Sequence, residues 1–299
     1  MSQAALRWST VLKITLLCTL MGLPQAHAQD AAQTLKARYG ALEQKLTHNP
    51  FNRPLALQSS ESPNGLKGEV YAVVEYPFDV VNSQLGEIKH WCDILILHQN
   101  VKRCINANTS AGPTLQLSIG QKSNSSLADA YPFTFLYTAA ASNADYLNIL
   151  LKAAEGPLDT RLFRIELEAV PLDAQRSFLH LSYSYTYGLS ARLAMVGYLA
   201  TTGHNKVGFS IVGQNSSGES VYVGNTLGVI ERNTMRYYLA IDAYLSTLLV
   251  PPPAQQEQRL RAWHAAVERY PQQLHELELG PYLKMKREEI QRQQITLLK

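Results

Sequence analysis

The chain has 299 residues, of which 46% are hydrophobic and 17% are charged, and its formal net charge is +3. This size and this hydrophobic fraction predict one large globular domain, with or without an appendage. Two of the basic residues, Arg7 and Lys13, fall in the N-terminal segment, so the rest of the chain is nearly neutral. A nucleic-acid-binding surface needs clustered Lys and Arg, and we therefore expect no nucleic-acid partner.

Residues 1–28 have the layout of a secretory signal peptide. Basic residues precede a short apolar run, Ile14 to Leu23, and Ala26-His27-Ala28 fits an A-x-A cleavage site. The run is too short to span a bilayer, and no later stretch is long enough, so no transmembrane span is expected after cleavage. We expect a periplasmic or secreted protein that is soluble rather than lipid-anchored, because Leu17 precedes Cys18 where a lipoprotein signal has a small residue.

An amphipathic helix is predicted over Gln29–Leu46 by the helical spacing of its leucines. Prolines and an Asn-Gly pair then indicate a loop over residues 49–64. Alternating apolar residues predict a strand over 66–76, and Pro77 in a first-turn position opens a helix.

The two cysteines that remain after cleavage, Cys92 and Cys104, are expected to form a disulfide in an oxidising compartment. A strand over 93–97, a turn and a second strand would bring them together as a hairpin. A metal site would need further ligands, and His90 and His98 are the available candidates nearby, so we expect no metal.

Five strand-like runs separated by turns follow the cysteines. They cover residues 114–120, 131–141, 146–153, 162–170 and 177–187. The next elements are a short helix over 189–200, two short strands over 207–212 and 220–223, and a long helix over 229–249 with a wide apolar face.

Three prolines at 251–253 end the long helix, and the composition then changes. Residues 254–299 are rich in Gln, Glu and Arg, and they indicate two helices broken near Gly280-Pro281. We expect this segment to be an appendage that can be removed from the core.

The element order resembles the helix-grip fold of the START-like superfamily, which includes StAR-related lipid-transfer domains and polyketide cyclases. Gly68–Val81 is similar to the family's first strand and helix, Trp91-Cys92 falls where many members have an aromatic residue, and Glu231–Tyr238 begins a helix in the gripping position. The resemblance covers about residues 66–249. It implies an α+β fold in which a curved antiparallel sheet encloses a cavity around a long C-terminal helix.

These patterns divide the chain into four parts. They are a signal peptide (1–28), an N-terminal helix and linker (29–65), a START-like helix-grip domain (66–250) and a C-terminal helical extension (251–299).

A row of tyrosines on the last long strand is the first candidate binding feature. Tyr183, Tyr185 and Tyr187 share one face of the strand, because successive side chains alternate. Turned inward, they would form aromatic walls with hydroxyl tips for an amphiphilic ligand, and Tyr237 on the long helix would join them. The alternative is an outer aromatic ladder packed under the C-terminal helices.

Two arginines on the long helix are the second candidate feature. Arg232 and Arg236 are four residues apart, so they share a side and repel each other unless an acidic group lies between them. A ligand carboxylate or phosphate fits that position, since Arg forks match such groups. A structural ion-pair network with Glu231 or with an acidic residue on a neighbouring strand, such as Glu166 or Glu168, is the simpler explanation.

No catalytic, P-loop or dinucleotide motif occurs in the chain, so the sequence predicts no catalytic residues and no cofactor. We expect a protein that binds or carries a lipid-like, hydrophobic or amphiphilic small molecule in a central cavity. One alternative is a cyclase- or hydrolase-like enzyme using the same cavity, favoured by paired polar groups of perturbed pKa at its floor. Another is an interaction protein whose helices at 254–299 dock on an envelope partner, favoured by an exposed apolar stripe there.

Overall fold

The structure, a computed structural model, describes residues 23–122, 126–201 and 203–297. Residues 1–22, which carry most of the predicted signal peptide, lie outside this part of the chain.

A curved antiparallel sheet of eight strands forms the centre of the molecule. Its strands are β1 (Leu55–Ser62), β2 (Gly65–Val74), β3 (Val101–Thr109), β4 (Gly112–Ile119), β5 (Tyr131–Ser142), β6 (Leu147–Glu155), β7 (Thr160–Pro171) and β8 (Ser177–Tyr187). Across the sheet they lie in the order β1-β2-β8-β7-β6-β5-β4-β3. The meander from β3 to β8 therefore ends beside β2, where Ala72 faces Leu179.

Helices lie on both faces of this sheet. In the described residues they are α1 (Leu23–Thr47), α2 (Phe78–Leu85), α3 (Ile88–Leu95), α4 (Leu189–Ala200), α5 (Asn225–Leu245), α6 (Pro252–Val267), α7 (Pro271–Leu274) and α8 (Leu279–Leu297). The long helix α5 contacts β1, β2 and β8 on one side and α3 and α6 on the other. A curved sheet around a long helix is the predicted α+β helix-grip arrangement, which is confirmed.

The main core lies between the inner face of the sheet and α5. Inward residues of β8 such as Leu179 and Leu181 pack there with Met235, Leu239 and Ile241 of α5, and each is almost fully buried. This single interface buries both the inward residues of the strand, which recur at every second position, and the wide apolar face of the helix.

A second, smaller core lies on the outer face of the sheet. Helix α1 packs there against β1, β7 and β8, with Leu35 and Leu42 buried beside Tyr71 and Phe178. The predicted helix over Gln29–Leu46 is confirmed, and its apolar side is explained by the sheet that it covers.

A charged cluster lies on the same outer face, centred on His180. The imidazole Nδ1 is 2.7 Å from Glu168 Oε2, the Nε2 is 3.0 Å from Glu69 Oε1, and the ring stacks on Tyr71 at 4.3 Å. Burial disfavours the imidazolium, but the hydrogen bonds to the two carboxylates outweigh it and raise the pKa of His180. The bond to His180 also lowers the pKa of Glu69 to about 2.

This cluster predicts a pH-dependent contribution to stability. A raised histidine pKa stabilises the fold fully below the ordinary value of 6.5, and the contribution is lost as pH rises through the folded pKa. The lowered Glu69 pKa contributes above its ordinary value of 4.5 and is lost as pH falls towards 2. His180→Gln should therefore lower the free energy of unfolding most between these two ordinary values, and progressively less at higher pH.

The measurement is urea unfolding of the wild type and the variant from about pH 5 to about pH 9. Because other groups titrate in this range, the quantity to follow is the difference between the two proteins. His48→Gln, at an exposed histidine, is the control and should leave the profile unchanged. A His180→Gln difference that is constant with pH would contradict the prediction.

The predicted disulfide between Cys92 and Cys104 is present, with the two Cα atoms 5.2 Å apart. The predicted hairpin around it is wrong, because residues 93–95 belong to α3 and the bond joins that helix to β3. The apolar run is helical because Trp91, Ile94 and Leu95 fall on one face, where all three are buried. A short apolar run fits a buried helix and a buried strand equally, so only packing separates the two.

The loop predicted over residues 49–64 is half wrong, since Leu55–Ser62 forms the edge strand β1. Most of its residues are polar and partly exposed, which hides the strand pattern. The strand is held by pairing with β2, in which Leu55 lies opposite Ala72 and Ser62 opposite Gly65.

The C-terminal extension is helical as predicted, but its break lies between α6 and α8 and not at Gly280-Pro281. Those two residues belong to the first turn of α8, where proline is tolerated because its missing N–H has no partner to lose. The extension is also no appendage: Trp263, Leu274 and Tyr282 are buried in the main core. The expectation that it can be removed is therefore not supported.

Candidate functional site

A cavity of about 920 Å³ lies between the inner face of the sheet, the first half of α5 and the helix α4. Its volume falls in the range of small-molecule sites. Much of its wall is aliphatic or aromatic, including Leu66, Phe133, Phe163, Met195 and Val229.

All six residues predicted to bind a ligand line this cavity. They are Tyr183, Tyr185, Tyr187, Arg232, Arg236 and Tyr237. Ligand binding by them stays a prediction, but the structure brings them together from β8 and α5, which are far apart in the sequence.

The tyrosine row faces inward, so the alternative of an outer aromatic ladder is wrong. Tyr183 and Tyr185 are each 6% exposed, and the outer face of β8 instead carries Phe178 and His180. Tyr185 stacks on Phe163 with ring centroids 5.0 Å apart, and Tyr183 meets Tyr237 edge-on at 5.2 Å. Burial raises the pKa of Tyr237 to about 12 and raises that of Tyr183 strongly, so both phenols are neutral donors at ordinary pH.

The cavity has a polar exposed end, which we define by Glu61, Tyr187, Arg192 and Thr226. Tyr187 and Thr226 donate hydrogen bonds to Glu61 at 3.1 and 2.9 Å, and Arg192 donates to the Pro63 carbonyl at 2.6 Å. The polar groups at this end therefore satisfy one another.

The opposite end, which we call the buried end, carries Lys122, Arg232 and Arg236. The Arg232 side chain is buried and donates from Nη1 to the Val207 carbonyl at 3.1 Å, and it also interacts with Tyr198 of α4. Arg236 is 1% exposed and donates from Nη2 to the Leu274 carbonyl at 3.3 Å. Its Nε has no hydrogen-bond partner among the described residues.

One carboxylate, that of Glu276 in the C-terminal extension, serves the cations at the buried end. Its Oε1 is 2.9 Å from Arg236 Nη2 and also accepts from Lys122, and its Oε2 is 3.6 Å from Lys206. In the described residues no carboxylate forms an ion pair with Arg232. The structural ion pair is thus real for Arg236, with a partner that lies 40 positions away in the sequence.

The acidic residues that the sequence suggested as partners have other roles. Glu231 is fully buried, and it accepts hydrogen bonds from the backbone of Phe209 and Ser210 and from the hydroxyls of Ser59 and Ser210. Glu166 binds Arg164, and Glu168 binds His180 on the outer face.

The expected strand over 207–212 is shorter than predicted. It begins at Ile211 and pairs only in the hairpin of β9 (Ile211–Gln214) and β10 (Ser220–Tyr222).

The pKa values of the groups at the buried end are shifted, because several cations are removed from water there. Burial lowers the pKa of Arg236 to about 10, although Glu276 opposes this shift. Burial and the neighbouring Arg236 lower the pKa of Lys122 to about 8. Lys122 and Arg236 together outweigh the burial of Glu276 and lower the pKa of that carboxyl. Three cationic side chains, those of Arg236, Lys122 and Lys206, therefore share one ionised carboxylate.

Helix α4 covers part of the cavity and exposes apolar residues on its other side. Ala191, Met195 and Leu199 line the cavity, whereas Leu189 and Leu193 are largely exposed. On the extension, only Leu279 is a large exposed hydrophobic residue among the side chains that the structure describes. The apolar stripe that would favour docking through residues 254–299 is therefore missing from that surface.

Sequence reasoning missed Lys122 and Glu276. Neither belongs to a motif, and each is brought to α5 by a different part of the chain. The spacing of Arg232 and Arg236 indicates that an acidic partner is needed. It does not indicate where in the sequence that partner lies.

Among the residues that the structure describes, no group of three or more His, Cys, Asp or Glu side chains is placed to hold a metal ion. Over the same residues, no helix has both the length and the hydropathy of a membrane span.

No family model and no curated protein matches this chain. Solved structures do match it. They include a norcoclaurine synthase from Thalictrum flavum (13% identity, 50% of this chain and 87% of that chain, TM-score 0.32) and the Zhui aromatase/cyclase from Streptomyces sp. R1128 (13% identity, 71% and 96%, TM-score 0.32). A START superfamily protein from Mycobacterium smegmatis also matches (15% identity, 50% and 87%, TM-score 0.31). Similarities this distant say nothing about activity, and the helix-grip fold of this chain is established by its own sheet order and helix placement.

Proposed function

We propose that this protein binds or carries a hydrophobic or amphiphilic, lipid-like small molecule in the cavity between β8 and α5. The observation that carries the proposal is the cavity of about 920 Å³ walled by Tyr183, Tyr185, Phe163 and Tyr237. Binding of this kind needs enclosure and a few polar groups rather than a reactive group. Each CH₂ group that a ligand buries there contributes about 0.8 kcal/mol.

The proposal includes export, with the protein acting in the periplasm or outside the cell. The layout of residues 1–28 and the disulfide between Cys92 and Cys104 both support it, since disulfides persist in oxidising compartments. The intact mass of the protein recovered from its own cells tests it. A mature chain beginning at Gln29 is expected, and retention of residues 1–28 would contradict export by this signal.

Filling part of the cavity should weaken ligand binding without unfolding the protein. In Tyr185→Trp the larger ring is expected to occupy the space beside Phe163, because Tyr185 already stacks on that ring. The neutral dye Nile red should then bind at least about 10-fold more weakly than to the wild type, a loss of about 1.4 kcal/mol. Dye fluorescence measures the affinity, and circular dichroism checks the fold.

Tyr39→Trp is the matched control, because Tyr39 lies on α1 against Phe178, on the far side of the sheet from the cavity. It should bind the dye as the wild type does. Equal affinity of Tyr185→Trp and Tyr39→Trp would place the dye outside the cavity, and no binding by the wild type of any hydrophobic probe would overturn the proposal.

The second candidate function is an enzyme that uses the same cavity. The specific observation in its favour is Lys122, whose pKa is lowered to about 8 by burial and Arg236 and which is paired with Glu276 at the buried end. Mass spectrometry of the compounds that co-purify with the protein separates the two functions. A carrier releases its ligand chemically unchanged after prolonged incubation, whereas conversion that stops in Lys122→Met would favour the enzyme.

A further inference from the structure

The two ends of the cavity differ in charge. If the cavity binds the proposed ligand, this difference indicates the chemical class of that ligand. At the exposed end the charged side chains that line the cavity are one acid, Glu61, and one base, Arg192, and both form hydrogen bonds within the protein. At the buried end every charged side chain that lines the cavity is a cation: Lys122, Arg232 and Arg236.

The single carboxylate at the buried end does not compensate the positive charge of these cations. Glu276 is shared among Arg236, Lys122 and Lys206, and the ion pair to Lys206 is long at 3.6 Å. Arg232 has no ion pair with any carboxylate that the structure describes, although its side chain is buried. Buried charges are usually paired, so this excess of positive charge favours a further anion.

The hydrogen-bonding groups lead to the same conclusion. Arg236 is 1% exposed, lines the cavity, and has an Nε that no described residue accepts from. A buried donor without an acceptor is unfavourable, and more so when the group is charged. Arginine donors match the two oxygens of a carboxylate or phosphate, so an oxyanion would satisfy the donor and the charge together.

We infer that the buried end of the cavity is an oxyanion subsite, and that the ligand is an acidic amphiphile whose carboxylate or phosphate contacts Arg232, Arg236 and Lys122. Its apolar part then lies along Phe163 and Tyr185 towards the exposed end. Glu276, which comes from the C-terminal extension, competes with the ligand for the same cations and limits the affinity for acids.

The test compares three ligands of equal chain length: decanoic acid, decyl phosphate and the neutral 1-decanol. Each is titrated against the wild-type protein loaded with Nile red, and displacement of the dye gives the affinity. At least one of the two acids should bind about 10-fold to about 100-fold more tightly than the alcohol, which corresponds to a buried hydrogen bond to a charged group. The better of the two acids identifies the head group.

Variants then locate the preference. Arg232→Gln and Lys122→Met should each reduce the acid-to-alcohol preference about 10-fold while leaving the affinity for the alcohol within about 2-fold. Glu276→Gln should increase the preference, a result that loss of structure cannot produce. Arg192→Gln, at the exposed end, is the matched control and should not change it.

The failure of this inference differs from the failure of the proposed function. If Nile red and decanol bind and both acids bind no better than decanol, the subsite is excluded while the cavity remains a binding site. If Arg192→Gln changes the preference as much as Arg232→Gln does, the head group lies at the exposed end. If neither the dye nor any of the three ligands binds, both proposals are overturned.

Discussion

A chain that stops after Leu249 should not fold. The cut removes Leu260, Trp263, Leu274 and Tyr282, all of which are buried in the main core. Each buried apolar or aromatic side chain of this size contributes about 1.5–3 kcal/mol, so a few of them match the 5–15 kcal/mol that stabilises a typical domain. We expect insoluble protein or, on refolding, no cooperative unfolding transition by circular dichroism.

A point variant tests the same interface without shortening the chain. Trp263→Ala should lower the free energy of unfolding by about 3–5 kcal/mol, because it leaves a cavity between α6 and α5. Arg261→Ala, at an exposed position on the same helix, should change it by less than about 1 kcal/mol. A soluble truncated protein with a cooperative transition would show that the extension is an appendage after all.

Glu289→Gln should be among the most destabilising single substitutions. Its fully buried carboxylate is 3.0 Å from Lys102 Nζ and 2.8 Å from Lys286 Nζ, so it forms ion pairs with two buried ammonium groups. Removing one partner from a buried ion pair is destabilising by about 3–5 kcal/mol, because the remaining charge has no counter-ion. Urea unfolding near neutral pH measures this loss.

The loss should become smaller as pH rises. Burial lowers the pKa of Lys286 to about 8 even though Glu289 raises it, so in the variant the pKa is lower still and the ammonium can lose its proton below that pH. A lysine whose folded pKa is lowered destabilises the fold fully below the folded value, and this penalty falls as pH rises from the folded value towards the ordinary value of 10.5. Glu257→Gln is the control: this carboxylate is one-third exposed and binds Arg287, so its removal should change stability by less than about 1 kcal/mol. A change below about 1 kcal/mol for Glu289→Gln would contradict the prediction.

Most strands and the long helix could be predicted from local pattern. Alternation on β8 is preserved because one face packs on α5 and the other on α1, so the prediction that Tyr183, Tyr185 and Tyr187 share one face is confirmed. The alternation of apolar and polar residues could not identify an element where burial does not alternate along the chain. The edge strand β1 is mostly polar, so its sequence favours a loop, and the run over 94–97 is apolar throughout, so its sequence fits a strand as well as a helix.

The candidate site could likewise be predicted only in part from local patterns. Tyr183, Tyr185 and Tyr187 share a face by the geometry of any strand, and Arg232 and Arg236 share a side by the geometry of any helix. Whether those two surfaces face each other depends on the pairing of β2 with β8 and on the position of α5 across them. Such contacts join residues that are far apart in the chain, and no local pattern encodes them.

By itself the sequence determined the periodic elements, the disulfide pair and the need of Arg232 and Arg236 for an acidic partner. Only the tertiary structure decided that Glu276 is the partner of Arg236, because α6 and α7 bring this residue around the core to α5. The polar composition of residues 254–299 resembles that of an appendage. Even so, Trp263, Leu274 and Tyr282 of this segment are buried in the main core, and the free energy of burial depends on where a side chain lies rather than on how many there are.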